Sequence, residues 1–338
     1  MAVAAPFASA WQPASEAAPM SVDPSPCPPS AGTAPATVGC IVGQHGTVKC
    51  LGSAMLTDVA DLLIAGDRSA AAIVDEDGGL LGAITENDMV QAYAEGMEYN
   101  YMITAAVWLR GGRARLPGAL APEMTISASS PLCEAAEKMR CHALGDGACR
   151  HLLVRDDASG AFRSILSSLD LARALCSGGM DVQEVQRRIG SATVAEVMKP
   201  RAALPTCSGT ATMEQALRAM LHTHQNCVLI TDPASSGPGA AGVVTPRDAL
   251  RAFAEHVRLD VPVGHWLRGL QSALAPRVVR PGAHLTDAGC LMAANSLHHL
   301  VVVDPEFEVV VGVISSSDLA QALGSAERVV LDCGPSEA

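Results

Sequence analysis

The stretch VVVGVISSSDLAQAL, residues 309–323, decides the fold. Its first part, Val309-Val310-Val311-Gly312-Val313-Ile314, is a short β-branched run and reads as a strand. It runs straight into Ser315-Ser316-Ser317-Asp318. A Ser followed three residues later by Asp is the signature of a helix N-terminus, where the hydroxyl caps and the acid favours the positive end. Just upstream, Leu300-Val301-Val302-Val303-Asp304 is a second such run, and the Asp-Pro step between them punctuates a hairpin.

The same pattern occurs three more times. Strand ends lead into Thr85-Glu86-Asn87-Asp88, Ser167-Ser168-Leu169-Asp170 and Thr245-Pro246-Arg247-Asp248. Gly82, Gly242 and Gly312 stand three residues before the capping position in three units; Ser164 stands there in the second. Each unit begins with an apolar stripe at spacings of three and four, which marks one helix face. The stripes are Leu56, Val59, Ala60 and Leu63; Leu132, Ala135, Ala136 and Met139; Met213, Ala216, Leu217, Met220 and Leu221; and Leu285, Ala288, Leu291 and Met292. A Pro, Gly and Ser insertion at 233–241 lengthens the third hairpin. The chain is a four-fold internal repeat.

The units are themselves paired. Trp108-Leu109-Arg110-Gly111 precedes unit two, and Trp266-Leu267-Arg268-Gly269 precedes unit four. This predicts a duplicated pair, with the divide in the polar stretch 177–192 around Gln186-Arg187-Arg188. The predicted boundaries are an Ala/Pro/Ser-rich disordered tail at 1–38, repeats at 39–100, 101–178, 179–258 and 259–325, and a flexible tail at 326–338.

The Ser/Thr-x-x-Asp motif has two readings. As a cap it is purely structural, and Pro246 at the first helical position fits that. As a binding element it exposes backbone N–H groups and a carboxylate side by side, and the carboxylate can accept both hydroxyls of a ribose. Phosphates need separate cations, because the Asp repels them. Arg68, Arg150 with His151, His224, and His298 with His299 stand just before the middle strands. The adjacent His298 and His299 are expected on opposite faces of a strand.

On these motifs the chain, over roughly residues 45–325, resembles the CBS-domain family. The resemblance implies an α/β fold of four CBS repeats (strand-helix-strand-strand-helix) paired into two Bateman modules that form a flat disc. It implies clefts between repeats that hold AMP, ADP, ATP or S-adenosylmethionine. It implies ribose contacts at Thr85, Asp88, Ser167, Asp170, Thr245, Asp248, Ser315 and Asp318. Leu297-His298-His299-Leu300, followed by Val313-Ile314-Ser315-Ser316-Ser317-Asp318, is also similar to the last repeat of the gamma regulatory subunit of AMP-activated, SNF1-type protein kinases. That likeness implies phosphate contacts at His298 and His299, with Arg150 and His151 as further candidates. The expected function is a non-catalytic sensor that passes its state to a protein partner, a protein kinase being one candidate. No cofactor is expected beyond the regulatory ligand. The alternatives are a partner-binding scaffold with empty clefts and a kinase gamma-type subunit.

Composition fits this and excludes other classes. The net charge of -12, from 23 basic and 35 acidic residues, disfavours a nucleic-acid partner. No apolar run is long enough to span a membrane. The first basic residue is Lys49, so neither a signal peptide nor a presequence is expected, and the chain is placed in the cytoplasm. The 11 cysteines form no C-x-x-C pair. Cys50, Cys141, Cys176 and Cys290 sit among apolar neighbours and are expected to be reduced and to serve as small hydrophobes. His222, His224 and Cys227 lack a fourth metal ligand. Arg110, Arg113 and Arg115 are expected in a solvated loop, and Trp108 and Trp266 as anchors of their linkers in the core. No nucleophile-base arrangement or P-loop is present.

Overall fold

The computed structural model describes residues 36–96, 102–111, 116–117, 124–141, 149–231, 240–270, 278–307 and 309–325. Arg113, Arg115, most of the insertion at 233–241 and nearly all of both tails lie outside them.

Repeat 1 comprises β1 (Lys49–Leu51), α2 (Leu56–Ala65), β2 (Ala70–Val74), β3 (Leu80–Thr85) and α3 (Glu86–Ala94). Repeat 2 comprises β5 (Thr125–Ser127), α5 (Leu132–Cys141), β6 (His151–Arg155), β7 (Phe162–Ser167) and α6 (Ser168–Cys176). Repeat 3 comprises β9 (Thr206–Ser208), α9 (Met213–Thr223), β10 (Val228–Thr231), β11 (Ala240–Val244) and α10 (Pro246–Ala254). Repeat 4 comprises β12 (Val278–Val279), α12 (Leu285–Ala294), β13 (His299–Asp304), β14 (Val309–Ser315) and α13 (Ser316–Leu323). In each, the first strand pairs parallel to the second and the hairpin is antiparallel. This is the expected α/β repeat.

Each hairpin has a register shift next to the residue that faces the motif glycine or Ser164. The glycine has a packing cause in repeat 4. There β14 pairs with β8 (Lys199–Pro200), and a Cβ on Gly312 would lie 2.5 Å from the Lys199 carbonyl oxygen. In repeat 2 the hydroxyl of Ser164 instead accepts a 2.5 Å hydrogen bond from Thr47.

The segments before each repeat cross over to its partner. α1 (Val38–His45), ahead of repeat 1, packs on β7 and α6 of repeat 2, and Thr37 bridges to Pro131. α4 (Ala105–Arg110), ahead of repeat 2, covers repeat 1, where Met55 bridges to Thr104. α8 (Val194–Val197) and α11 (Val263–Leu270) exchange between repeats 3 and 4, through Thr193 with His284 and Thr212 with Pro262. These exchanges pair repeat 1 with 2 and repeat 3 with 4. Trp108 is buried and Trp266 half-buried, both packed on one core. The hydroxyl of Thr37 caps α1, so described structure begins before the tail boundary at residue 38.

Within a module the sheets meet. Ala83 packs on Leu153 between repeats 1 and 2, and Leu229 and Val243 pack with Val301 and Val313 between repeats 3 and 4. Between modules the helices meet. One core merges repeats 1 and 3, with Tyr93 edge-on to Phe253 at 5.8 Å. The other merges repeats 2 and 4. The cycle 1–2–4–3–1 is closed.

One sequence expectation is corrected. Cys176 and Cys290 are joined in a disulfide, and Cys141 is exposed, so only part of the cysteine set, such as Cys50, is a buried hydrophobe. Arg188, in α7 (Val182–Arg188), belongs to the polar stretch predicted to divide the two pairs. Its buried guanidinium binds Glu137 at 2.5 Å, Glu184, and the Leu323 carbonyl at 2.9 Å, which clamps repeat 2 to the end of repeat 4.

Candidate functional site

The four Asp of the motif are buried, at 1, 3, 0 and 6% exposure for Asp88, Asp170, Asp248 and Asp318. In every repeat one carboxylate oxygen, Oδ2, accepts from the backbone N–H of the Ser or Thr at 2.7–2.9 Å and from its hydroxyl at 2.6–2.7 Å. A carboxylate offers about two acceptor sites on each oxygen. Capping uses Oδ2, so the cap and ribose readings do not compete for the same atom.

Asp170 shows what Oδ1 does. Arg173, one turn along α6, reaches it at 3.0 Å, and Arg68 of repeat 1 lies at 3.5 Å. Arg173 also donates to the Ser296 hydroxyl of repeat 4 at 3.2 Å and stands 4.0 Å from Asp67 of repeat 1. Around this group lies a cavity of about 370 Å³, open to solvent. Its walls include Val48, Arg68, His151, Asp170, Arg173 and His298, from repeats 1, 2 and 4. A second cavity of about 360 Å³ shares Ser69, His151 and His298 with it and adds Glu86, Arg150, His299 and Ser315–Ser317.

The electrostatics follow from burial. His151 shares a 2.8 Å hydrogen bond with Ser69, and burial, with the Arg150 guanidinium beside it, pushes its imidazole down to about 4. His298 pairs with the Ser316 hydroxyl at 3.1 Å and is held well below its usual value by burial and by the surrounding cations, Arg247 first. Burial pushes the Glu86 carboxyl up, against Arg247 at 2.7 Å. Ser317 keeps a buried hydroxyl without a hydrogen bond among the described residues, on the lining of the second cavity.

The sequence-predicted residues therefore fall into groups. Ser167, Asp170, Arg68, His151 and His298 line the first cavity. Thr85, Ser315, Arg150 and His299 border the second, which His298 also lines. Thr245 and Asp248 are buried caps of α10, with Arg247 between them turned toward Glu86. His224 is exposed at the left-handed C-cap of α9. Arg110 is exposed and donates to the Ala106 carbonyl. Among the described residues no cluster could hold a metal, and no helix is long and apolar enough to cross a membrane. Sequence reasoning missed Asp67, Glu86, Arg173 and Arg247. Only Arg173 had a local signal, its position three residues after Asp170.

The CBS domain family model matches residues 45–95, 194–255 and 274–325. No curated protein matches the chain. Among solved structures, a Methanocaldococcus jannaschii protein described as a candidate archaeal homologue of g-AMPK is 13% identical. It covers 84% of this chain and 99% of its own, with a TM-score of 0.62, a likeness of fold. An uncharacterized conserved protein from Pyrococcus horikoshii is 18% identical, covering 82% of this chain and 96% of its own at a TM-score of 0.46. A CBS domain protein from Pyrobaculum aerophilum, complexed with AMP, is 25% identical over 37% of this chain and 88% of its own at 0.32. The repeat the family model leaves unmatched is the second, where Ser164 replaces the glycine, yet its strands and helices follow the same order. The chain carries CBS domains at residues 45–95, 194–255 and 274–325, and its second repeat has the same order of strands and helices.

Proposed function

We propose that the chain is a non-catalytic sensor that binds an adenine nucleotide in the first cavity and passes its state to a protein partner. The observation that carries this is the juxtaposition of a ribose-type carboxylate, Asp170, with Arg68, Arg173, His151 and His298 in one space. A nucleotide offers a diol to the first and an anion to the others. Arg68 and Arg173 disfavour the ammonium and sulfonium of S-adenosylmethionine. Ligand entry would move Arg68 and Arg173 from Asp170 to the phosphate. Because Arg173 also holds Ser296, that exchange would reach the second module. Such a switch needs the two arrangements to bind ligand with different affinity.

The scaffold alternative rests on one observation of its own: Asp170 is already satisfied by Arg68 and Arg173. A thermal-shift panel of AMP, ADP, ATP, S-adenosylmethionine and NAD separates the two. A nucleotide at 100 times its Kd adds about 2.7 kcal/mol. A shift with one or more of the phosphorylated ligands and none with S-adenosylmethionine is expected. No shift with any nucleotide would leave the scaffold.

A further inference from the structure

Cys176 closes α6 of repeat 2, and Cys290 lies in α12 of repeat 4. They are 114 residues apart in sequence, with Cα atoms 5.4 Å apart, and they are bonded. The two helices pack against each other across the module interface. Gly289 of α12 faces Leu175 of α6, where a Cβ would sit at an ordinary contact distance of 3.5 Å. Both cysteines are exposed at the edge of the contact, within reach of a small reagent. Cys227 and Cys149, by contrast, are pushed up to about 12 and about 11 by burial and are poor thiolates.

The bridge also has a position relative to the cavity. α6 opens with the Ser167 cap on Asp170 and carries Arg173 one turn before Cys176. α12 runs out to Ser296, which receives the Arg173 hydrogen bond, and then to His298. One of the two bridged helices, α6, thus lines the cavity through Leu169, Asp170 and Arg173, and the chain just beyond the other supplies His298.

We propose that Cys176 and Cys290 are a reversible thiol–disulfide site that locks the first module to the second and stiffens the cavity wall when oxidised. The oxidant is a small disulfide such as oxidised glutathione. One cysteine thiolate attacks it, forming a mixed disulfide and releasing one glutathione thiol. The other cysteine thiolate then attacks the protein-side sulfur and releases the second. Two protein thiols become one disulfide, and the two electrons pass to the reagent. The two protons lost by the cysteines are taken up by the departing thiolates. Reduction by a dithiol reverses the sequence.

The effect on the cavity rests on its reading as a nucleotide site; the bridge does not. The test uses the full chain treated with oxidised glutathione or with dithiothreitol, alongside Cys176→Ser and Cys290→Ser. Alkylation and peptide mass mapping should find residues 176 and 290 linked only in the oxidised wild type. The oxidised Tm should exceed the reduced by several degrees, because the bridge closes a long loop. Both variants should melt like the reduced protein whatever the treatment. AMP should bind about fivefold or more tightly to the oxidised form. Free, alkylated thiols at 176 and 290 after oxidation would overturn the proposal, as would a linked form with unchanged Tm and unchanged AMP affinity. A redox-dependent Tm without AMP binding in either form would support the lock and overturn the nucleotide reading.

Discussion

Asp170→Ala and Ser167→Ala separate the two jobs of one motif. Ser167 contributes its hydroxyl to Oδ2 of Asp170 at 2.7 Å, while Arg173 and Arg68 lie on Oδ1. Ser167→Ala removes the hydroxyl part of the cap and leaves Oδ1 untouched. Loss of a cap costs about 1 kcal/mol. In a chain of this size that is a Tm decrease of about 2 °C. Asp170→Ala removes the cap and also the acceptor for a ribose diol. Hydrogen bonds to a charged acceptor are worth roughly 1.5–3 kcal/mol. That corresponds to AMP affinity weakened roughly 10- to 100-fold. Freed Arg68 and Arg173 would recover some of it through the phosphate, so the lower half of that range is expected. Isothermal titration with AMP on both variants, beside their melting curves, is the assay. The expected pattern is a larger Tm loss in Asp170→Ala, which also leaves Arg68 and Arg173 without their carboxylate, and an affinity loss only in that variant. Unchanged AMP affinity in both would refute the ribose role and leave the motif a cap.

Further outcomes follow from the same contacts. Because His151 sits at about 4 in the folded chain against an ordinary 6.5, the unfolded chain takes up a proton that the folded one refuses. Stability should therefore fall as pH drops from about 6.5 toward 4. His151→Asn should flatten Tm against pH in that window, and an unaltered profile would count against a buried neutral imidazole. Arg188→Ala should cost about 2 kcal/mol by chemical denaturation, since it removes a charged donor from the Leu323 carbonyl. Arg188→Lys should recover only part, because a lysine cannot serve Glu137, Glu184 and that carbonyl in one plane. Gly312→Ala drives a methyl into the Lys199 carbonyl and should cost about 1–3 kcal/mol. Gly282→Ala, with nothing within 4 Å, should fall within about 0.5 kcal/mol of wild type. Equal stability of the two glycine variants would contradict the close pairing of β14 with β8.

What the sequence made legible is what is local. Strand runs, caps and helix stripes are properties of a residue and its near neighbours, so the four repeats and their Ser/Thr-x-x-Asp turns could be read directly. The pairing of repeats was legible through Trp108 and Trp266, because a duplicated linker leaves a duplicated anchor. The path of those linkers was not. That α1 covers repeat 2 rather than its own repeat depends on how two sheets meet. The cavity was half legible. His151, His298 and Arg68 stand at strand entries, where the repeat itself places them. Arg247 and Glu86 occupy variable positions of the motif and meet only because α10 packs on α3. Cys176 and Cys290 read as small hydrophobes because no spacing rule connects residues on different repeats. Closure of the ring brings them together.

The most direct test of the nucleotide reading is a crystal structure of the full chain grown with AMP. The expected result is a ribose whose hydroxyls lie on Asp170, with the phosphate among Arg68, Arg173, His151 and His298 and both arginines turned away from the carboxylate. A structure in which Arg68 and Arg173 still hold Asp170 and the cavity contains no nucleotide would contradict it.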